Sequence, residues 1–175
     1  MNYLKTLFNL AAAILIMSKI AAAAPMTAEI VVYGDGAGGV IAAVQGARMG
    51  KSVILVSNYH GHLGGLTSSG LGWTDIGNRA ILGGLSREFY GRVYRHYQND
   101  SAWVHQERDQ YPKKGQGAPT FDPSTKLASV FEPKVAEQIF KDMAVEAGVK
   151  IIKGRIDQSN GVTLKGTTIS HLRLD

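Results

Sequence analysis

Cysteine is absent from the 175 residues, so no disulfide, thiolate metal site or iron-sulfur ligand can come from this chain, and the sequence names no metal site. A strong charge of one sign is missing as well. The formal net charge is +5, and Lys5 and Lys19, near the amino terminus, supply part of it. The remainder is too small and too scattered to imply a nucleic-acid partner. Lys113-Lys114 is the only tight basic pair and reads as a solvated loop. A long apolar run is lacking too: residues 7–17 are almost wholly apolar, but a membrane span needs about 20 such residues. Lys5 before that run and the small residues 21–24 after it complete a secretory signal peptide over residues 1–23, favoured over an uncleaved membrane anchor. Cleavage is expected after Ala23, since cutting after Ala24 would leave Pro25 at the new amino terminus. The mature chain, residues 24–175, is then periplasmic or secreted, with no stable membrane span.

What the chain has in quantity is glycine, 21 residues, and its placement organises the rest. Gly34-Asp35-Gly36-Ala37-Gly38-Gly39 sits between the β-branched run Ile30-Val31-Val32-Tyr33 and the small-residue run Val40-Ile41-Ala42-Ala43-Val44. Strand, tight glycine turn and helix are the context in which G-x-G-x-x-G binds a dinucleotide. Gly34 lets the chain turn out of the strand. Gly36 lacks the Cβ that would hold a pyrophosphate off the backbone, and Gly39 lets the helix lie close on the strand. The helix aims its free N–H groups and positive dipole end at the diphosphate.

The order of elements predicts a parallel βαβ unit. Residues 29–33 read as a strand, 36–49 as a helix ended by Gly50, and 52–57 as a second strand buried on both faces. A second glycine-rich stretch, residues 58–75, follows at once and pairs glycines with Thr67, Ser68 and Ser69, which suits a backbone pressed against a ligand. Residues 83–97 read as a helix with Leu85, Phe89, Val93 and Tyr97 on one face and Arg87, Arg92 and Arg95 on its solvated side. Residues 99–130 lack periodicity and contain Pro112, Pro119 and Pro123. That irregular insertion fits a substrate-facing lid or a disordered stretch, with Trp103 as a substrate anchor or, more ordinarily, an aromatic buried beneath the loop. Glu132-Pro133 opens a further helix with Val135, Ile139, Phe140 and Met143 as its apolar stripe and Gly148 at its close. A strand over 149–152 and a hairpin over 162–174 complete the pattern. The alternating run from His171 to Asp175 asks for further strands, so the sequence is read as a fragment, with the doubly wound sheet incomplete.

Several blocks in this order carry a resemblance: residues 33–43; His62-Leu63-Gly64-Gly65 with Thr67-Ser68; residues 70–75; Gly83-Gly84-Leu85 with Arg87-Glu88-Phe89-Tyr90; and Phe131-Glu132-Pro133 with Val135-Ala136-Glu137. Over most of residues 29–157 the chain resembles the bacterial FAD-dependent oxidoreductases also described as xanthan lyase-like or heterodisulfide reductase-like, in their N-terminal part. The resemblance implies an α/β fold, a FAD-binding Rossmann-type domain of the glutathione-reductase kind with a parallel sheet. It implies FAD as cofactor, with Gly34, Gly36, Ala37, Gly38 and Gly39 at the pyrophosphate. Gly64, Gly65, Leu66 and Thr67 would run along the diphosphate and ribityl chain, and Ile156 would meet adenine through its backbone. With no twin-arginine pair before the apolar run, such a flavoprotein would cross the membrane unfolded and load FAD afterwards.

Two departures stand out. Where the family usually has glutamate at the end of the second strand, to hold the adenosine ribose, this chain has Ser57 followed by Asn58. A neutral hydroxyl or amide offers weaker bonds than a carboxylate. Lys134 replaces a histidine common in relatives. His60, His62 and Asp75 are the titratable groups nearest the glycine motifs, but lone histidines beside a glycine loop are more often structural, and no catalytic residue is assigned. The expected function is an exported FAD-dependent oxidoreductase acting on a small molecule. The alternatives are a nicotinamide-dependent dehydrogenase, which the missing acidic residue after the second strand disfavours, and a non-catalytic exported protein that keeps the Rossmann fold.

Overall fold

The computed structural model describes residues 24–58, 62–114 and 118–175; the expected leader, residues 1–23, and His60 lie outside the described residues. Strand β1 (Ile30–Tyr33), helix α1 (Ala37–Arg48) and strand β2 (Val53–Ser57) form the first unit. The two strands are parallel, with Ile30 opposite Val53 and Tyr33 opposite Val56. Gly50 ends the helix at φ +81°, a left-handed conformation that glycine takes without cost. Helix α2 (Gly84–His96), the two-residue strands β3 (Phe121–Asp122) and β4 (Leu127–Ala128), and helix α3 (Pro133–Glu146) follow. Strand β5 (Lys150–Lys153) returns to the sheet beside β2, giving the parallel order β1-β2-β5. Strands β6 (Val162–Lys165) and β7 (Thr168–Leu172) pair as an antiparallel hairpin. This is the α/β, Rossmann-type arrangement expected from the glycine turn.

Packing explains the order. Every residue of β2 is buried, as a central parallel strand requires. Val53 and Leu55 meet Val40, Ala43 and Val44 of α1, and α2 and α3 add Phe89, Val93, Ala136, Phe140 and Met143 to the same cluster. The Phe89 and Phe140 rings stack at 4.5 Å between centroids, closing α2 on α3. Each large apolar side chain so buried contributes about 1.5–3 kcal/mol. Buried Tyr97, just past α2, takes a bond at 2.8 Å from the amide of Glu132 at the start of α3, and burial holds its phenol above its ordinary pKa.

Two expectations are corrected. Arg92 is half-buried rather than solvated: it bonds Glu88 one turn back at 2.7 Å and Glu146 of α3 at 2.7 Å, while Arg48 of α1 holds Glu88 at 2.6 Å. The three helices are thus tied together by four charged groups. The 99–130 stretch, where 115–117 lie outside the described residues, is not a disordered span in its described part. It forms short 3-10 turns at Asp100–Ala102 and Arg108–Gln110 and the β3–β4 hairpin. Trp103, Tyr111 and Phe121 pack around Tyr97, the Trp103 indole N–H donates to the Tyr97 carbonyl at 3.2 Å, and Arg108 lies over the indole ring at 5.4 Å. Buried Arg79 donates to the Pro119 carbonyl, to the Leu127 carbonyl and, at 2.7 Å, to the Ser129 hydroxyl, so one cation holds the base of the hairpin. The sequence hid this because the fold of the segment comes from scattered aromatics and one arginine, which leave no period.

Candidate functional site

The site is built at the carboxyl ends of β1 and β2, where α/β sheets bind ligands. Gly34 leaves β1 at φ +121°, and Gly36 caps α1 with an extended backbone. The first bond of the helix runs from the Val40 amide to the Gly36 carbonyl at 3.0 Å, so the amides of Ala37, Gly38 and Gly39 have no partner within the helix. No side chain caps them and no acidic residue occupies the first turn, which leaves the positive end of α1 available to an anion.

The glycines do different jobs, and each job can be read from what a Cβ would meet. On Gly39 it would sit 2.1 Å from the Gly34 carbonyl oxygen, so this glycine exists for the contact of helix with strand. On Gly36 and Gly38 it would meet nothing within 4 Å. The backbone at Gly36 is bare toward open space, which packing does not require and a diphosphate does.

The second glycine stretch lies against the first. Gly36 and Gly64 form a parallel bridge, and the Gly64 amide donates to the Asp35 carbonyl at 2.7 Å. Gly64 and Gly65 have φ of +113° and +56°. A Cβ on Gly64 would meet the Phe140 ring at 2.5 Å, and one on Gly65 would stand 3.2 Å from the Gly36 Cα. Gly65 begins a 3-10 turn, Gly65–Thr67, in which Leu66 is exposed and Thr67 half-buried. The expected pyrophosphate residues Gly34, Gly36, Ala37, Gly38 and Gly39 and the second set Gly64, Gly65, Leu66 and Thr67 are therefore neighbours. The bare backbone of Gly36 and Gly38 among them fits FAD at its diphosphate.

Ser57 and Asn58 follow the same edge at the end of β2. Ser57 is only 2% exposed and its hydroxyl donates to the Asp35 carboxylate at 2.6 Å, so it does not stand open at the ribose position; Asn58 is half-buried. Ile156, past β5, donates its amide to the Tyr33 hydroxyl at 3.3 Å. A cleft of about 420 Å3 opens there, lined by Tyr33, Arg155, Ile156, Asp157 and Gly161 among others. His62 lies 2.9 Å from the Glu137 carboxylate of α3. Burial pushes the Glu137 carboxyl up, but bonds with Lys141 and His62 outweigh it and hold the group below its ordinary pKa. His62 thus ties the second glycine stretch to α3. Lys134 pairs with Glu132 at 3.1 Å. Asp75 is exposed beside Thr74, whose amide bonds the Ser129 carbonyl at 2.9 Å. In the sequence Asp35 is only a spacer between glycines. The signal that could have singled it out is a carboxylate in that spacer in a chain whose second strand lacks its own.

The model of one family, the FAD dependent oxidoreductases, matches residues 29–175. No curated protein matches the chain. Among solved structures, the L-amino acid deaminase from Proteus vulgaris is 18% identical with a TM-score of 0.44, over 86% of this chain and 44% of that one. Thermovibrio ammonificans THI4 is 16% identical with a TM-score of 0.39, over 89% of this chain and 51% of that one. AlpK is 16% identical with a TM-score of 0.45, over 83% of this chain and 27% of that one. The chain spans about half or less of the length of these structures. Among the described residues no helix is long and apolar enough to cross a membrane.

Proposed function

We propose, from the premise that this chain belongs to the FAD dependent oxidoreductase family, that it is the cofactor-binding part of an exported flavoenzyme that oxidises or reduces a small molecule. The observation that carries the reading is the contact between the two glycine stretches, with the bare face of Gly36 beside Gly64 and Gly65 at the amino end of α1. The amides of Ala37, Gly38 and Gly39, which have no partner within the helix, would hold the diphosphate. Gly64 to Thr67 would continue along the chain toward the flavin. On the other side, the cleft beside Tyr33 would take adenine, with the Ile156 carbonyl as the free backbone group, since its amide is already given to Tyr33. Bound flavin supplies the capacity to take up or release a hydride equivalent. Family membership favours flavin over the nicotinamide alternative.

Export follows from the order of charge, apolar run and small residues at the start of the sequence. One preparation tests both halves. The full-length protein recovered from the periplasm or medium should show flavin absorbance bands, after FAD addition if needed, and an intact mass lacking residues 1–23. A mass that retains Met1 would remove export. A folded protein that takes up no flavin would favour the non-catalytic alternative.

A further inference from the structure

Resting on the reading above, that β2 and α1 flank a bound dinucleotide, we propose that Asp35 is the residue that binds the adenosine ribose of FAD, with Ser57 as the positioning residue that aims its carboxylate. A dinucleotide fold holds the ribose diol with an acidic residue at the end of the second strand. Here that position is Ser57, whose hydroxyl is buried and already committed to Asp35 at 2.6 Å. It can neither donate to the ribose nor stand in for a carboxylate. Asp35, by contrast, is half-buried rather than sealed.

Its backbone is fixed from several directions. Gly34 precedes it in a left-handed turn, Gly36 follows as the cap of α1, and its carbonyl accepts the Gly64 amide at 2.7 Å. An ionised carboxylate offers about four acceptor positions. Ser57 fills one, and among the described residues the Asp35 carboxylate makes this hydrogen bond and no ion pair. Two ribose hydroxyls are neutral donors of the kind that the remaining positions need. The order along the chain matches the order along the ligand: Tyr33 borders the cleft proposed for adenine, Gly36 to Gly39 form the turn proposed for the diphosphate, and Asp35 lies between them. The carboxylate that relatives carry on the second strand is thus supplied from the first glycine turn.

The test is FAD titration of the full-length apoprotein, followed by flavin fluorescence, with FAD and with its 2′-deoxyadenosine analogue. Wild type should bind the analogue about tenfold more weakly, as expected for the loss of one charge-assisted bond. Asp35→Asn should weaken FAD by about tenfold or more and should no longer distinguish FAD from the analogue. Ser57→Glu alone should weaken FAD, because it sets a second carboxylate against Asp35. Asp35→Ser combined with Ser57→Glu exchanges the two groups and should recover affinity and the preference for the 2′-hydroxyl. Unchanged or tighter FAD binding by Asp35→Asn, or undiminished discrimination against the analogue, overturns the assignment. So does loss of discrimination on Asn58→Ala but not on Asp35→Asn. A folded wild-type chain that binds no FAD overturns the reading beneath the assignment and the assignment with it, a result distinct from wild-type binding that Asp35→Asn leaves intact.

Discussion

Replacing Gly36 by valine asks whether the first glycine turn exists for a ligand or for the fold. The backbone at Gly36, φ −62° and ψ 166°, is extended, and any residue adopts it. A Cβ there meets nothing within 4 Å, so the first atom of a new side chain meets no obstacle. The apoprotein should therefore lose no more than about 1 kcal/mol, the scale on which valine is poorer than glycine at a helix N-cap. Ligand binding should respond quite differently. FAD at 100 times its Kd stabilises a binding-competent protein by about 2.7 kcal/mol, a rise of several degrees in Tm, and Gly36→Val should abolish that rise by occupying the diphosphate position. Gly39→Ala is the control with the opposite signature. Its Cβ would sit 2.1 Å from the Gly34 oxygen, so helix and strand must separate. Overpacking of that kind costs about 1–3 kcal/mol, against about 1 kcal/mol returned by alanine's better helix propensity. Thermal unfolding of the full-length protein with and without FAD reads both variants. A Gly36→Val protein that keeps the FAD-dependent rise would show the motif to be only a turn, and one that loses about 2 kcal/mol without FAD would show that Gly36 is packed.

Arg79→Met should cost about 2 kcal/mol, because the Pro119 and Leu127 carbonyls lose a buried charged donor, at about 1–3 kcal/mol for a group left unsatisfied, while the Ser129 hydroxyl still donates to the Pro119 carbonyl. Faster limited proteolysis between residues 99 and 130 should accompany the loss, and wild-type resistance would refute the role given to Arg79 in holding the hairpin. Stability should also fall in acid: bonds from Arg48 and then Arg92 hold the Glu88 carboxyl down to about 2 from 4.5. A depressed carboxyl contributes fully above its unfolded pKa and loses its contribution as pH falls from about 4.5 toward 2. Glu88→Gln should flatten the part of the urea-midpoint profile in that window, and an unchanged slope would remove Glu88 from the cause.

The secondary structure was legible wherever local chemistry and tertiary packing agree. The apolar run of β2 is buried along its whole length, Leu85, Phe89, Val93 and Tyr97 share one helix face, and Gly50 and Gly148 take the left-handed turns that end α1 and α3. What was not legible depends on partners far apart in sequence. Arg92 looks like a surface cation when only its own helix is considered, and becomes half-buried because Glu146 of α3 reaches it. Residues 99–130 have no period because their order comes from Tyr97 at the end of α2 and Arg79 before it.

At the site, sequence spacing already gave Gly36 and Gly39 separate jobs, one toward a diphosphate and one in the contact of helix with strand. In the structure a Cβ on Gly39 would strike the Gly34 carbonyl oxygen, while one on Gly36 or Gly38 would meet nothing within 4 Å. Ser57 shows the limit of reading from spacing. Aligned on its strand, it is a weak substitute for a carboxylate, and the natural inference is a weaker site that Ser57→Glu would repair. With the Asp35 carboxylate 2.6 Å from its hydroxyl, the same substitution would place two like charges in contact, and repulsion at that distance outweighs any bond a new carboxylate could offer the ribose. The sign of the expected effect therefore reverses, because one contact between residues 22 positions apart sets the buried Ser57 hydroxyl against a carboxylate of the first glycine turn.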